Sequence, residues 1–194
     1  RSPMTEPSPP RPWQCTAEIV AIASPWVRMV AERWIDDHGR ELDYWRVERV
    51  PSVIVIPIWR GQILLPHPQF RPGVGRMTLD LPGGRVPSGA APLDMAPQIV
   101  QRELGIAPDA IAALEPLNEQ GWIINSSFSD QLLFGVIATI QDSAEAKTPL
   151  LYRVTPATMQ QVAGLINDLE CLQCRAVLQE WMLRRIMAGA WTIR

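Results

Sequence analysis

The chain has 194 residues, 47% hydrophobic and 20% charged, with a formal net charge of -2 and an isoelectric point near 5.7, which supplies one well-formed core with a small extra arm. An acidic balance with no block of Lys or Arg offers no field to a phosphate backbone and argues against a nucleic-acid partner. No apolar run approaches the roughly 18 residues that span a bilayer, and the N-terminus lacks the basic region and apolar core of a secretory leader, so the expectation is a cytoplasmic protein without membrane contact.

Residues 1–12 are proline-rich and nearly devoid of apolar side chains, the composition of a disordered tail. From Trp13 to Ala23, closely spaced Ile19, Val20 and Ile22 predict a strand that stops at Ser24-Pro25. The next stretch is ambiguous. Trp26, Val30 and Trp34 recur at intervals of four, as on a helix, whereas Asp36-Asp37-His38-Gly39 reads as a hairpin turn before a strand over Glu41 to Val47. The turn is given precedence, and Pro25 to Ile35 is expected to be strand.

Ser52 to Trp59 is a near-continuous apolar strand, Gly61-Gln62 a turn, and Ile63 to Leu65 a returning strand. Pro66, Pro68, Pro72, Gly73 and Gly75 predict an irregular connection to a short strand at Thr78-Leu79-Asp80, which delivers the chain to Leu81-Pro82-Gly83-Gly84. Pro92 to Leu104 is the best central helix, capped by Gly105; Pro97 requires either a start near Ala96 or a kink. Strands follow over Ile111 to Leu117, Gly121 to Ile124 and Asp130 to Ile140, then a polar loop over Gln141 to Pro149. Thr155 and Pro156 are expected to open a helix reaching Leu169, with a second from about Glu170 to Met187.

Cys15, Cys171 and Cys174 form no even disulfide framework. Cys171-Leu172-Gln173-Cys174 has metal-ligand spacing, but a structural zinc site takes four ligands and the other Cys and His residues, Cys15, His38 and His67, are remote in sequence. Small buried or half-buried helix residues are the expectation, and no metal is assigned.

The order of strands, the triplet Gln69-Phe70-Arg71 and the run Asp80-Leu81-Pro82-Gly83-Gly84 resemble the Nudix family, and within it the ADP-ribose pyrophosphatase-like branch. The resemblance covers roughly Trp13 to Ile186. It implies an α/β fold, a Nudix-type α/β/α sandwich with a mixed sheet, an N-terminal strand arm and C-terminal helices. The implied division is the tail over 1–12, the arm over 13–50, which makes intersubunit contacts in that branch, and the Nudix-like domain with its helices over 51–194. Trp13, Trp26, Trp34 and Trp45 concentrate in the arm, and a homodimer is expected.

The family's box runs Gly, five residues, Glu, seven residues, Arg-Glu-aliphatic, one residue, Glu-Glu, one residue, Gly-aliphatic. Counting from Gly84 puts Ala90 at the first Glu, Gln98 at the Arg, Ile99 at the next Glu and Arg102 at the first of the Glu-Glu pair. Glu103, Gly105 and Ile106 match. A rival register, with Arg102-Glu103-Leu104 as the Arg-Glu-aliphatic triplet and Asp94 as the first Glu, loses both the opening glycine, which becomes Ser88, and the paired carboxylates, so the first register is preferred.

Magnesium needs several oxygen ligands in near-octahedral geometry, and the family presents carboxylates from one helix face to supply them. Positions 99 and 103 share a face, and here they hold Ile99 and Glu103 beside Arg102. The expectation is therefore a degenerate box in which Glu103 is a weak catalytic remnant, with no cofactor unless the protein is active, when it would be Mg²⁺. Arg71, Arg76, Gly83 and Gly84 are the candidate ligand-binding residues, for a nucleotide-like small molecule. A binding or regulatory module for such a ligand or for a protein partner is the leading reading. The alternatives are a metal-dependent hydrolase of ADP-ribose or a related compound with relocated ligands, drawn from Glu115, Glu119 or Asp130, and an interaction scaffold using the C-terminal helices around Trp181.

Overall fold

Eight consecutive residues, Ser52–Trp59, form the strand on which the larger part of the computed structural model is built. The structure describes residues 11–145, 152–156 and 158–191. The proposed tail lies outside them except for its last two residues, as does the end of the loop from Gln141.

In chain order the strands are β1 (Gln14–Ala23), β2 (Arg28–Ile35), β3 (Glu41–Glu48), β4 (Ser52–Trp59), β5 (Gln62–Leu65), β6 (Gln69–Arg71), β7 (Arg76–Thr78), β8 (Gly83–Arg85), β9 (Ile111–Pro116), β10 (Trp122–Asn125), β11 (Ser129–Ile140) and β12 (Tyr152–Val154). The helices are α1 (Pro92–Leu104), α2 (Met159–Asp168) and α3 (Leu172–Met187). The chain divides into two units, one from its start to Arg49 with Asn125–Asp130, the other from Val50 to Ile124 with the chain from Gln131 onward.

In the first unit, β1, β2 and β3 pair antiparallel, with Ala23 opposite Arg28 and Ile35 opposite Glu41. The strand reading of Arg28–Ile35 holds because the turn after it is well built: Asp36 Oδ1 accepts the N–H groups of His38 (2.9 Å) and Arg40 (2.8 Å), and Gly39 takes φ 77°. Tyr44 donates to the carbonyl of Ser127, and the Val47 N–H to that of Phe128 at 2.8 Å.

In the second unit β4 pairs parallel with β11, from Ser52 opposite Leu133 to Trp59 opposite Ile140, and β9 continues antiparallel on the far side of β11. The other edge of β4 is shared: Ser52 to Ile54 pair with β8, and Ile58 and Trp59 with β5. The Val55 N–H on that edge donates to the Pro82 carbonyl at 2.9 Å. Pro57, two residues on, directs its donorless nitrogen to the same edge, at the gap between β8 and β5, which is why a proline fits inside a central strand.

Alternation along β4 assigns its two faces. Val53, Val55 and Trp59 pack with Ala96, Ile99, Val100 and Leu104 of α1, whereas Ile54 and Ile56 pack with Val162, Leu165, Val177 and Leu178 of α2 and α3. This is the α/β/α sandwich with a mixed sheet.

Three local readings are corrected. The connection from Pro66 to Gly75 is not wholly irregular: β6 and β7 pair with each other, Gln69 opposite Thr78 and Arg71 opposite Arg76, so the short strand ends at Thr78 and does not extend to Asp80. Gly83–Arg85 is strand as well as loop. The helix expected from Thr155 begins only at Met159, because Thr158 forms a capping box with Gln161 and satisfies the end better than Pro156 would. The central helix α1 spans Pro92–Leu104 as expected, with Pro97 inside it and no delayed start at Ala96.

Candidate functional site

The segment from Leu81 to Ile106 is a strand, a loop and a helix. Leu81 and Val86 are buried at its start, Ile106 at its end, and Gly105 closes α1 at φ 67° with its N–H on the Gln101 carbonyl. The paired glycines have steric reasons of their own. A Cβ on Gly83 would stand 2.7 Å from Ile54 Cδ1 and 3.3 Å from the Val53 carbonyl oxygen; one on Gly84 would stand 3.0 Å from Ile99 Cγ1. Close packing against Ile54 of β4 and Ile99 of α1 thus disfavours a larger side chain at both positions whether or not a ligand approaches.

Ile99 is fully buried in the cluster between β4 and α1. One turn later Glu103 emerges toward Arg102 and Gln69. Arg102 Nε and Nη2 donate to Glu103 Oε1 at 3.0 and 2.9 Å, and Nη2 also donates to the Gly83 carbonyl at 2.7 Å. Gln69 Nε2 reaches Glu103 Oε2 at 3.3 Å. Both oxygens of this carboxylate are therefore engaged, and Arg102 ties it to the glycine loop.

The residues present do not fit a magnesium ion at this place. A six-coordinate dication would find one carboxylate, already neutralised by a guanidinium, and an isoleucine in the core where a second oxygen donor would be needed. Of the other acids, Glu115 is exposed on β9. Glu119 lines an open groove with Asn118, Glu180 and Arg184, and Asp130 accepts the Arg49 N–H at 2.9 Å. Among the described residues, two groups of three acidic, Cys or His side chains converge closely enough for a metal ion, and neither includes Glu103.

Each arginine expected near a ligand is held by an acid. Arg71 Nε donates to Asp80 Oδ2 at 2.7 Å, and Arg76 pairs with Glu170. Their side chains keep exposures of 46% and 63%, so both retain surface for an anion. Glu170 was not recognisable from local sequence, since it comes from the link between α2 and α3, 94 residues beyond Arg76.

Asp80 has a second neighbourhood that the sequence did not reveal. Cys171, at the N-terminal boundary of α3, and buried Cys174 in its first turn lie beside it. The adjacent Cys174 thiol, aided by backbone N–H groups at the start of the helix, holds the Cys171 thiol down to about 6, against burial and the negative charge of Asp80.

No family model matches the chain, and no curated protein matches it. Among solved structures, a crystal structure described as an ADP compounds hydrolase is similar over 97% of this chain and 98% of its own, with a TM-score of 0.67 and 16% sequence identity. At that identity the likeness is one of fold, and it establishes the Nudix-type α/β/α architecture for this chain.

Proposed function

We propose that the chain is a binding or regulatory module on a Nudix-type fold, taking a nucleotide-like ligand without metal-dependent hydrolysis at Glu103. The observation that carries this reading is the Arg102 guanidinium bonded at once to Glu103 and to the Gly83 carbonyl. The Arg102 side chain is still 56% exposed and can donate to phosphate oxygens, so a diphosphate approaching the glycine loop meets Arg102, with the exposed parts of Arg71 and Arg76 as further donors. Electrostatic stabilisation of the transition state, the main contribution of metal ions in phosphoryl chemistry, is what the arrangement lacks.

A second reading has its own support. The solved structure of similar fold is described as hydrolysing ADP compounds, and the likeness extends over nearly the whole of both chains. On that reading this protein is a metal-dependent hydrolase of an ADP compound whose metal ligands come from outside the helix, with Glu115 and Glu119 as candidates.

One experiment separates them. The protein is incubated with ADP-ribose and ADP-sugars, with and without Mg²⁺ or Mn²⁺, while product and melting temperature are followed. Stabilisation by ligand without product is expected. Metal-dependent turnover would replace this reading by the hydrolase, and silence in both channels would leave a protein as the partner.

We also propose a homodimer formed through the strand arm. Every residue of β1 is exposed, and Trp13, Ile19, Ile22, Trp26 and Trp45 stand 44–61% exposed on the first unit. Such apolar exposure beside an unpaired strand edge favours self-association. Light scattering after size exclusion should give twice the 21.7 kDa chain mass, and Ile22→Lys with Trp26→Glu should return it to the monomer value.

A further inference from the structure

Asp80, Cys171 and Cys174 meet where β7 hands the chain to Leu81 and where α3 begins. One oxygen of Asp80 and both sulfurs lie within 4.8 Å of one another. The carboxylate is divided in its bonding. Oδ2 accepts from Thr78 Oγ1 at 2.9 Å and from Arg71 Nε at 2.7 Å, whereas Oδ1 is buried with no hydrogen-bond partner. Asp80 as a whole is 8% exposed. A buried carboxylate with one oxygen unpartnered, lying beside two sulfurs, is an unfavourable arrangement that calls for a positive group.

We propose that these three side chains bind a divalent transition-metal ion of the zinc class, at a site that shares Arg71 with the proposed ligand surface but does not depend on a ligand binding there. The donor set selects the metal: two thiolates and one carboxylate suit zinc or a similar borderline-soft ion and exclude magnesium or calcium as the preferred occupant. The spacing is also right, because a Cys-x-x-Cys that straddles the start of a helix turns both sulfurs to one side. With metal–sulfur distances of about 2.3 Å and metal–oxygen of about 2.0 Å, tetrahedral ligands of this set stand about 3.5–3.8 Å apart, so side-chain adjustments of about 1 Å close the site.

The charges balance. Two thiolates and a carboxylate are offset by the dication and the Arg71 guanidinium, and Arg71 and Thr78 hold Asp80 Oδ2 while leaving Oδ1 without a hydrogen bond, as outer-shell partners do at metal sites. Both sulfurs bind as thiolates, and whatever thiol proton they still carry passes to solvent on binding. Three protein ligands leave a fourth position for water or an exogenous donor, and Cys171, half-buried while Cys174 is 1% exposed, lies on the more open side.

The test uses the full chain, reduced and freed of metal, titrated with Co²⁺ and then Zn²⁺. Expected are thiolate-to-cobalt charge-transfer absorption and ligand-field bands of tetrahedral intensity, saturating at one equivalent and bleached by zinc. Cys171→Ser and Cys174→Ser should lose the charge-transfer band, and Asp80→Asn should weaken cobalt binding by at least about tenfold. Circular dichroism shows which variants fold; if Cys174→Ser does not, the more exposed Cys171→Ser decides. Absence of the band from folded, reduced wild-type protein would overturn the proposal. So would its survival in Cys171→Ser, and so would a chain whose cysteines form a disulfide yet take up no metal once reduced.

Discussion

Arg102 illustrates how one residue changes the meaning of its neighbours. A carboxylate at 103 is a metal ligand only if nothing nearer claims it, and a guanidinium attached to the preceding residue does so at 2.9 Å. The sequence made this arrangement legible, because adjacency and charge sign need no tertiary information. It did not show that Arg102 also bonds the Gly83 carbonyl, nor that Asp80 joins two cysteines far along the chain, since those contacts exist only after folding. The glycines can be tested at this same scale. Gly83→Ala places a methyl group against Ile54 and the β4 backbone, and is expected to lower unfolding stability by about 1–3 kcal/mol through overpacking. A denaturant midpoint unchanged from wild type would mean that β8 has room to shift and that the glycine serves a ligand.

Elements in this chain follow local sequence where turn chemistry and burial agree, and depart from it where short pieces satisfy one another. The helical spacing of Trp26, Val30 and Trp34 was misleading because strand side chains at every fourth position also share a face. Asp36 and Gly39 resolved it. The pairing of β6 with β7 was hidden under prolines and glycines, and α2 was started too early because Pro156 resembles a first helical residue while the Thr158–Gln161 box does the capping. Pro97 remains the element that departs furthest from local preference. It removes the donor that would reach the Leu93 carbonyl, in a helix interior where proline is about 3 kcal/mol less favourable than alanine. Pro97→Ala should therefore stabilise the protein by on the order of 1–3 kcal/mol, seen as a higher melting temperature. A lower one would show that the half-buried ring contributes more by packing than the lost hydrogen bond takes away.

Across the whole molecule, two units are held by different forces. The first has few buried apolar residues but a buried Glu32 clasped by Arg46 at 2.7 and 2.8 Å, with Glu48 shared between Arg28 and Arg46. Hydrogen bonding to Arg46 holds the Glu32 carboxyl below its ordinary range, and Arg28 does the same for Glu48. With folded values depressed, their stabilisation is complete above the unfolded value of about 4.3 and is lost as pH falls through the folded ones. Protection of β2 and β3 amides, corrected for intrinsic exchange, should thus decline below about pH 4.3, and Glu32→Gln should flatten that decline. The second unit depends instead on β4, nearly every residue of which is buried. Its parallel partner β11 is translated some 80 residues later, a wait of roughly 4–16 s at about 5–20 residues per second. During biosynthesis, then, the most apolar strand of the chain is finished long before anything can cover its β11 edge. Pro57 does not guard that edge, since its donorless nitrogen faces the β8 and β5 side; there it removes one pairing donor from the growing strand and so limits association with neighbouring chains along its other edge.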